Sequence, residues 1–575
     1  MYAALLTLSS LLGAIAAARS PFDLPNSEWN TLNATVGGRL AKGVPVARAC
    51  FKQAGTNVSN GPWAMDCASV QSNYGNFKAW RSRIYSARMG LQWEICQKTN
   101  QGCSLDPNGP KNASTFSAPR VCDQGSVSPY YIDVKTEADV TQGFAFSNRT
   151  GVPLSIKNTG HDGAGRSTAP GTLALWTNNI KYINYSATFV PEGCNQGGVP
   201  ALTYGAGQDM GSLYAFAESN NITFIGASAR TVGAAGGWLQ GGGHSILSNT
   251  YGLGVDRVLQ FRVVTPDGRA RVANVCQNQD LFWALRGGGG GTFGVVLEAT
   301  SEVVPNPVST IALSWQLVPT PDNIKSFFAI LVQNSIRWSQ EGWGGSFSPA
   351  GSMIANPKMN ASQAAESLRP LTDFLKNTSN GNATQVQWSQ HSSVLQLLSP
   401  SLAAADALPL GKSAMASRLI PRSAFTPSNS AALLDAMLRT WSTADNVWIL
   451  MTTPFSYQVP EYARGKTSVT PAWRGAVWHV IASTSWEWDS GVKEAKDAYL
   501  KASSAIDPLR SITLGGGAYQ NEADVYEPEA STSFWGSNYP ALSAIKQKYD
   551  PDGLLDCWHC IGWKGKSTPI ASCYV

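Results

Sequence analysis

Between Lys157 and Val296 the chain carries three glycine-rich runs, and they restrict its fold more than any other feature. The first is Lys157-Asn158-Thr159-Gly160-His161-Asp162-Gly163-Ala164-Gly165-Arg166-Ser167. The second is Thr231-Val232-Gly233-Ala234-Ala235-Gly236-Gly237-Trp238-Leu239-Gln240-Gly241-Gly242-Gly243-His244-Ser245. The third spans Leu281 to Val296 and holds five consecutive glycines, Gly287 to Gly291. Backbone without Cβ atoms lets successive N–H groups converge on one anion and lets a ligand approach closely. The runs alone leave two readings open: a pyrophosphate-bearing cofactor, or loops at positive φ. No G-K-S/T follows any of them, so none is a Walker loop. Gly205-Ala206-Gly207 starts like a dinucleotide motif, but Met210 occupies its third glycine position. No G-x-S-x-G elbow occurs, which disfavours an ordinary serine hydrolase.

The flanking pattern supplies the elements. Tyr131-Ile132-Asp133-Val134 alternates as a strand. Thr136 then offers an N-cap with an acidic first turn, Val140 and Phe144 form one apolar stripe, and Gly151 ends the helix. Val152–Lys157 is the next strand, so this βαβ unit implies a parallel pair. Val258–Val264 and Arg269–Val275 flank Thr265-Pro266-Asp267-Gly268, a hairpin signal. Past Asn306 the glycine runs stop. Helices at Asp322–Trp338, Leu368–Asn377 and Ser430–Thr443 and strands at Val447–Met451 and Ala476–Ile481 suggest a separate α+β domain. After Leu514 a glycine-rich, aromatic segment returns. Trp473, Trp478, Trp486 and Trp488 read as packing rather than as an aromatic or carbohydrate pocket. Trp486 and Trp488 share a face if Trp486-Glu487-Trp488 is strand.

Composition narrows the function class. The chain has 575 residues, 43% of them apolar, enough for a substantial core. Only 14% are charged and the net +5 forms no Lys/Arg cluster, so nucleic-acid binding is not expected. Leu5–Ala18 is apolar and ends in Ala16-Ala17-Ala18, which reads as a signal peptide over residues 1–18. No later stretch reaches the roughly 18 apolar residues of a membrane span. Sequons at Asn33, Asn57, Asn112, Asn148, Asn184, Asn221, Asn360, Asn377 and Asn382 predict N-linked glycans on a secreted protein. Ten cysteines are expected to pair in that compartment. Four of them fall within Cys50–Cys103, so residues 19–120 read as a disulfide-tied extension rather than a cored unit. Cys557-Trp558-His559-Cys560 imitates a redox or zinc motif. A second C-x-x-C is missing and the five histidines are scattered, so a structural disulfide and no metal site are expected.

The three runs, in this order and spacing, resemble the FAD-linked oxidases of the vanillyl-alcohol-oxidase / p-cresol-methylhydroxylase (PCMH) superfamily. Gly236-Gly237-Trp238-Leu239-Gln240-Gly241-Gly242-Gly243-His244, Tyr251–Val258, Asp280–Arg286, Tyr519-Gln520-Asn521 and Ile545–Pro551 narrow the resemblance to the berberine-bridge-enzyme-like branch. Within that branch the chain is similar to secreted fungal isoamyl alcohol oxidase-like proteins. The resemblance covers about Cys122 to Trp563. It implies an α+β fold: a PCMH-type FAD-binding domain over 121–305, a substrate domain over 306–510 with a central antiparallel sheet, and a C-terminal segment, 511–575, returning to the FAD domain. It further implies covalent FAD on His161. Ala229 occupies the position of the branch's second, cysteinyl attachment, so His161 would be the single tether. Backbone around Asn158, Thr159, Gly160, Asp162, Gly163 and Ser167, and around Thr231, Gly233, Gly236, Gly237, Gly242 and Gly243, would wrap the cofactor, with Val296 at the adenine. Val232 would control oxygen access.

The implied reaction is hydride transfer from an alcohol carbon to FAD and then to O₂, giving H₂O₂. Tyr519 and Asn521 are the catalytic candidates, with His479, Arg418 and Arg422 as rivals. A tyrosine of pKa about 10 needs a neighbouring cation or a strong acceptor to serve as a base at neutral pH. An oligosaccharide oxidase and a non-catalytic glycan-binding flavoprotein remain as alternatives.

Overall fold

The computed structural model describes residues 19–59, 65–77, 80–195, 197–349, 351–378, 386–407, 410–459 and 467–575. The signal-like Leu5–Ala18 and the Asn382 sequon lie outside the described residues. Three sheets organise the chain. The first holds β1 (Leu40–Lys42), β2 (Tyr130–Asp133), β3 (Leu154–Lys157) and β4 (Leu173–Trp176) in the order β1-β2-β4-β3. The helix Glu137–Thr150 joins β2 to β3. Asp139 caps it by accepting from Thr136 N at 2.9 Å, and Gly151 ends it at φ 76°. The two joined strands are parallel in direction, as the βαβ pattern implied, but they are not neighbours. β4 runs parallel between them. All four β4 residues are buried, so the most apolar strand takes the centre of the sheet.

The second sheet is antiparallel, with β5 (Ile183–Phe189), β6 (Val199–Gly205), β7 (Val258–Val264), β8 (Ala270–Asn274) and β9 (Val295–Glu302) in the order β5-β6-β9-β7-β8. β7 and β8 form the expected hairpin. Gly268 takes φ 75° in its turn, where Thr265 Oγ1 donates to Asp267 at 2.6 Å.

The third sheet belongs to the α+β part. It holds β10 (Thr310–Trp315), β11 (Gly344–Phe347), β12 (Ser352–Asn356), β13 (Val386–His391), β14 (Lys412–Pro421), β15 (Asn446–Leu450) and β16 (Ala476–Trp486). Its seven strands run in the order β13-β10-β12-β11-β15-β16-β14, antiparallel throughout. The helices Pro321–Glu341, Ser430–Thr443 and Val492–Ile512 bury Phe327, Phe328, Leu433, Met437, Tyr499 and Ile506 in the same core as this sheet's inner residues. Trp478 is fully buried there, edge-on to Phe425. The strand ends at Trp486, so Trp486 and Trp488 do not share a strand face. Trp486 packs on Tyr499, and Trp488 receives the Arg120 guanidinium.

The N-terminal extension is better cored than its composition suggested. Val46, Phe51, Val70, Tyr74, Leu91 and Leu105 form a buried cluster of their own, and β1 joins the first sheet. Its cysteines staple it outward as well as inward. Cys50 pairs with Cys67, Cys103 with Cys122 and Cys96 with Cys573 near the C-terminus. Cys194–Cys276 and Cys557–Cys560 complete the set, and no free cysteine remains. Denatured, unreduced protein should therefore titrate with few free thiols. Eight or more thiols in fresh material would overturn this pairing. Among the described residues no helix is long and apolar enough to cross a membrane.

Candidate active site

The first two glycine runs and the end of the third meet around one cavity. About 930 Å³ of empty space lies there, open solvent included. Gly160, Gly233, Gly236, Gly237, Gly290, Gly291 and Gly294 line it. The lack of side chains is a steric requirement. A Cβ on Gly290 would stand 3.0 Å from the Gly237 Cα, and one on Gly236 would stand 2.9 Å from Asn158 Oδ1. Asn158, Thr159, His161, Asp162, Ser167, Val232, Val296 and Asn521 also line the cavity.

Several expected contacts lie elsewhere. Gly163 is turned toward Met415 and the Asn521 backbone, and its carbonyl accepts from Trp93 Nε1 at 3.1 Å. Gly242 and Gly243 turn at φ 139° and 79°. They pack against Tyr519 and Trp238 respectively, so they shape the wall behind Tyr519 rather than the cavity lining. Thr231 reaches the site through His161, whose Nε2 lies 2.6 Å from Thr231 Oγ1. Burial lowers the His161 pKa to about 4, so the imidazole is neutral near pH 7.

Beneath this loop lies a buried ionic group from the extension. Glu94 bonds Arg81 and the Arg88 backbone N–H, and all three side chains are buried. Lys157 Nζ donates to the carbonyls of Tyr85 at 2.5 Å and Ala87 at 2.8 Å. Burial, with Arg88 nearby, drives its pKa far down. From the other side Lys546 Nζ donates to Thr292 O at 2.7 Å, to Leu555 O at 2.7 Å and to Asp550 at 2.6 Å. The chain's C-terminal part thereby clamps the third run.

Polar side chains connect the cavity to Tyr519. Asp162 accepts from Arg166 Nε at 3.2 Å, and Arg166 Nη2 donates to Asn521 Oδ1 at 3.0 Å. Asn521 Nδ2 donates to Gly237 O at 2.7 Å and to the Tyr519 hydroxyl oxygen at 2.8 Å. The cation that Tyr519 would need as a base is not what dominates its surroundings. Burial first, then the Glu522 charge, pushes its pKa further up, so the phenol keeps its proton.

Sequence reasoning left His244 and Glu522 out of the site and gave His479 no distinguishing role. The fold brings these three together beside Tyr519. His244 Nε2 lies 3.1 and 3.2 Å from the Glu522 carboxylate oxygens, and His479 Nδ1 lies 3.6 Å from one of them. The rings of His244, Trp473, His479 and Tyr519 are in mutual contact, with centroids 5.3–6.3 Å apart. Burial opposes the charge of Glu522, but His244, bonded to it, outweighs burial and holds the carboxyl below its ordinary pKa. Burial drives His479 to about 3. The signals were present but unmarked. His244 ends the second run, Glu522 follows Tyr519-Gln520-Asn521, and His479 lies mid-strand in β16. Arg418 and Arg422 are not part of the site. Arg418 bonds Thr513, and Arg422 is exposed on a short helical turn.

Two family models match the chain. The FAD binding domain covers residues 128–274, and the berberine and berberine-like model covers residues 518–559. The FAD-linked oxidoreductase cheF of Chaetomium globosum is 38% identical over 93% of this chain and 86% of its own. This chain belongs to the FAD-linked oxidoreductases of the berberine-bridge-enzyme-like, VAO-type family. The VAO-type flavoprotein MtVAO615 of Myceliophthora thermophila C1 has the same fold, with a TM-score of 0.80 and 28% identity over 95% of this chain and 97% of that one. The glucooligosaccharide oxidase of Acremonium strictum shares the fold at a TM-score of 0.62 and 19% identity, over 76% of this chain and 91% of that one.

The residues of this FAD-linked oxidoreductase fit its cofactor. The cradle is bare backbone packed so closely that a Cβ on Gly236 would strike Asn158 and one on Gly290 would press on the Gly237 backbone. Asn158 Oδ1, Ser167 Oγ and Gln240 Oε1 belong to cavity-lining residues, yet these buried atoms have no hydrogen-bond partner among the described residues. Buried polar atoms left in that condition call for a partner that the polypeptide does not provide.

Proposed function

We propose that this FAD-linked oxidoreductase is an oxidase of an alcohol-type CH–OH substrate. One observation carries the reading: Tyr519, Asn521 and the His244–Glu522 pair converge beside the glycine-lined cavity. Bound FAD supplies the hydride acceptor, and O₂ takes the electrons onward as H₂O₂. Asn158, Thr159, Gly160, Asp162 and Ser167, with Gly233, Gly236 and Gly237, hold the cofactor, and Val296 closes its far end. His161 is its only covalent anchor. Ala229 offers no thiol, and all ten cysteines are engaged in disulfides. Asn521 and the protonated Tyr519 orient the substrate hydroxyl, and the His244–Glu522 cluster activates it. Peroxide release across a panel of alcohols and sugars tests the reading. Release with oligosaccharides alone would favour the second reading, an oligosaccharide oxidase, which rests on the fold shared with the Acremonium enzyme. Silence with every substrate would sink both.

Val232 lines the cavity beside Gly233 and is half-buried. We assign it the control of oxygen access. Val232→Leu adds one methylene at a packed surface. Reoxidation by O₂ should slow at least about tenfold, a barrier change of about 1.4 kcal/mol. Anaerobic reduction by substrate should change much less. Stopped-flow measurement of both half-reactions decides it, and equal slowing of both would reduce Val232 to a packing role. Secretion and glycosylation rest on Leu5–Ala18 and the sequons. A mass decrease on enzymatic removal of N-glycans checks them.

A further inference from the structure

We propose that His244, His479 and Glu522 bind a divalent metal ion of the zinc class, with an open position for the substrate hydroxyl oxygen. The proposal deepens the alcohol-oxidase reading and takes its substrate class from it.

Three observations carry it. One nitrogen from each histidine and one Glu522 oxygen lie within 4.8 Å of one another. Two of the three separations are 3.1 and 3.6 Å. A tetrahedral zinc ion with bonds of about 2.0–2.1 Å holds its ligand atoms about 3.4 Å apart, so a small closing movement of the two rings completes the set. Two histidines with one glutamate is also a donor set of catalytic zinc sites, where three protein ligands leave the fourth position for water or substrate.

The second observation is His479 itself. Its side chain has no solvent exposure, and neither ring nitrogen has a hydrogen-bond partner among the described residues. Native structures seldom leave a buried imidazole in that condition without an ion or water to complete it. Its backbone is held on both sides: in β16 it pairs with Leu419 of β14 and Leu450 of β15.

The third is access. His244 and Glu522 keep 15% and 31% of their side-chain exposure, while His479 keeps none. The cluster is closed behind His479 and open in front of the other two. The Tyr519 ring and the Trp473 indole flank it, with Tyr519 bonded to Asn521 at the cavity. A metal here would polarise the hydroxyl as a Lewis acid.

The test uses purified holoenzyme. Metal content per flavin is measured, and chelator-treated enzyme is titrated calorimetrically with Zn²⁺ and separately with Mn²⁺. The expected result is one site per chain, with affinity reduced at least about 100-fold by Glu522→Gln and unchanged by Tyr519→Phe. Flavin absorbance reports whether each variant has folded. If Glu522→Gln does not fold, the wild-type titration decides alone. Wild-type enzyme with intact flavin that contains no metal and takes up neither ion overturns the proposal. Stoichiometric metal without peroxide from any alcohol would leave this site standing and remove the alcohol reading. Peroxide from enzyme that neither holds nor binds metal would do the reverse.

Discussion

His161→Ala should yield protein whose flavin is released entirely by acid precipitation, or protein that holds none. Wild-type tryptic digests should place the whole flavin increment on the peptide containing His161. The reasoning combines three features. His161 lies on the cavity wall, its imidazole is neutral near pH 7, and Thr231 fixes its ring by a 2.6 Å hydrogen bond. Among the described residues Cys557 is the one cysteine lining the cavity, and its bond to Cys560 supports the proposed single tether. A covalent link also helps set the flavin potential. Where the variant retains flavin, its anaerobic reduction by substrate should therefore slow, by at least about tenfold or about 1.4 kcal/mol of barrier. Flavin that stays covalently bound in the variant would reveal another attachment and end the single-tether reading.

Glu94→Gln should be among the most destabilising single substitutions in the chain. Glu94 bonds the buried Arg81 and the Arg88 backbone, and among the described residues no other carboxylate is bonded to them; Lys157 lies in the same group. Burial raises the Glu94 pKa in spite of Arg81, which shows how costly the charge is in that place. The amide cannot balance the guanidinium beside it. Breaking a buried pair by removing one partner costs about 3–5 kcal/mol, because the other charge is left uncompensated. In a chain of 575 residues the thermal midpoint should fall by about 3–4 °C. The first glycine loop should loosen with it, since Lys157 and the Met89 backbone tie that loop to the same segment. Flavin fluorescence during a thermal ramp reports both effects. Asp497→Asn, which breaks an exposed pair with Lys493, is the control and should leave the midpoint unchanged. An unchanged midpoint in Glu94→Gln would mean that the buried group relaxes or admits water.

The local pattern of the chain determined much of this. Helix Ser430–Thr443 has the limits its periodicity implies. The Thr265–Gly268 turn makes the hairpin that its Asp-Gly signal encodes. The glycine runs converge on one cavity because only backbone lacking Cβ atoms can approach as closely as Gly237 and Gly290 do. Such features are decided by neighbours along the chain or by the absence of a side chain, and both are written in the sequence. Tertiary structure decided the rest. β4 entered between β2 and β3 because sheet order follows the burial of whole strands. Cys96 crossed to Cys573, 477 positions away, a pairing that no spacing rule contains. His244, His479 and Glu522 come from a glycine turn, the middle of a strand and a loop more than 30 residues beyond that strand. Each is unremarkable among its own neighbours. Their chemistry exists only where three separate elements pack against Tyr519, and distance in space, which sequence order does not carry, is what couples charges and donor atoms.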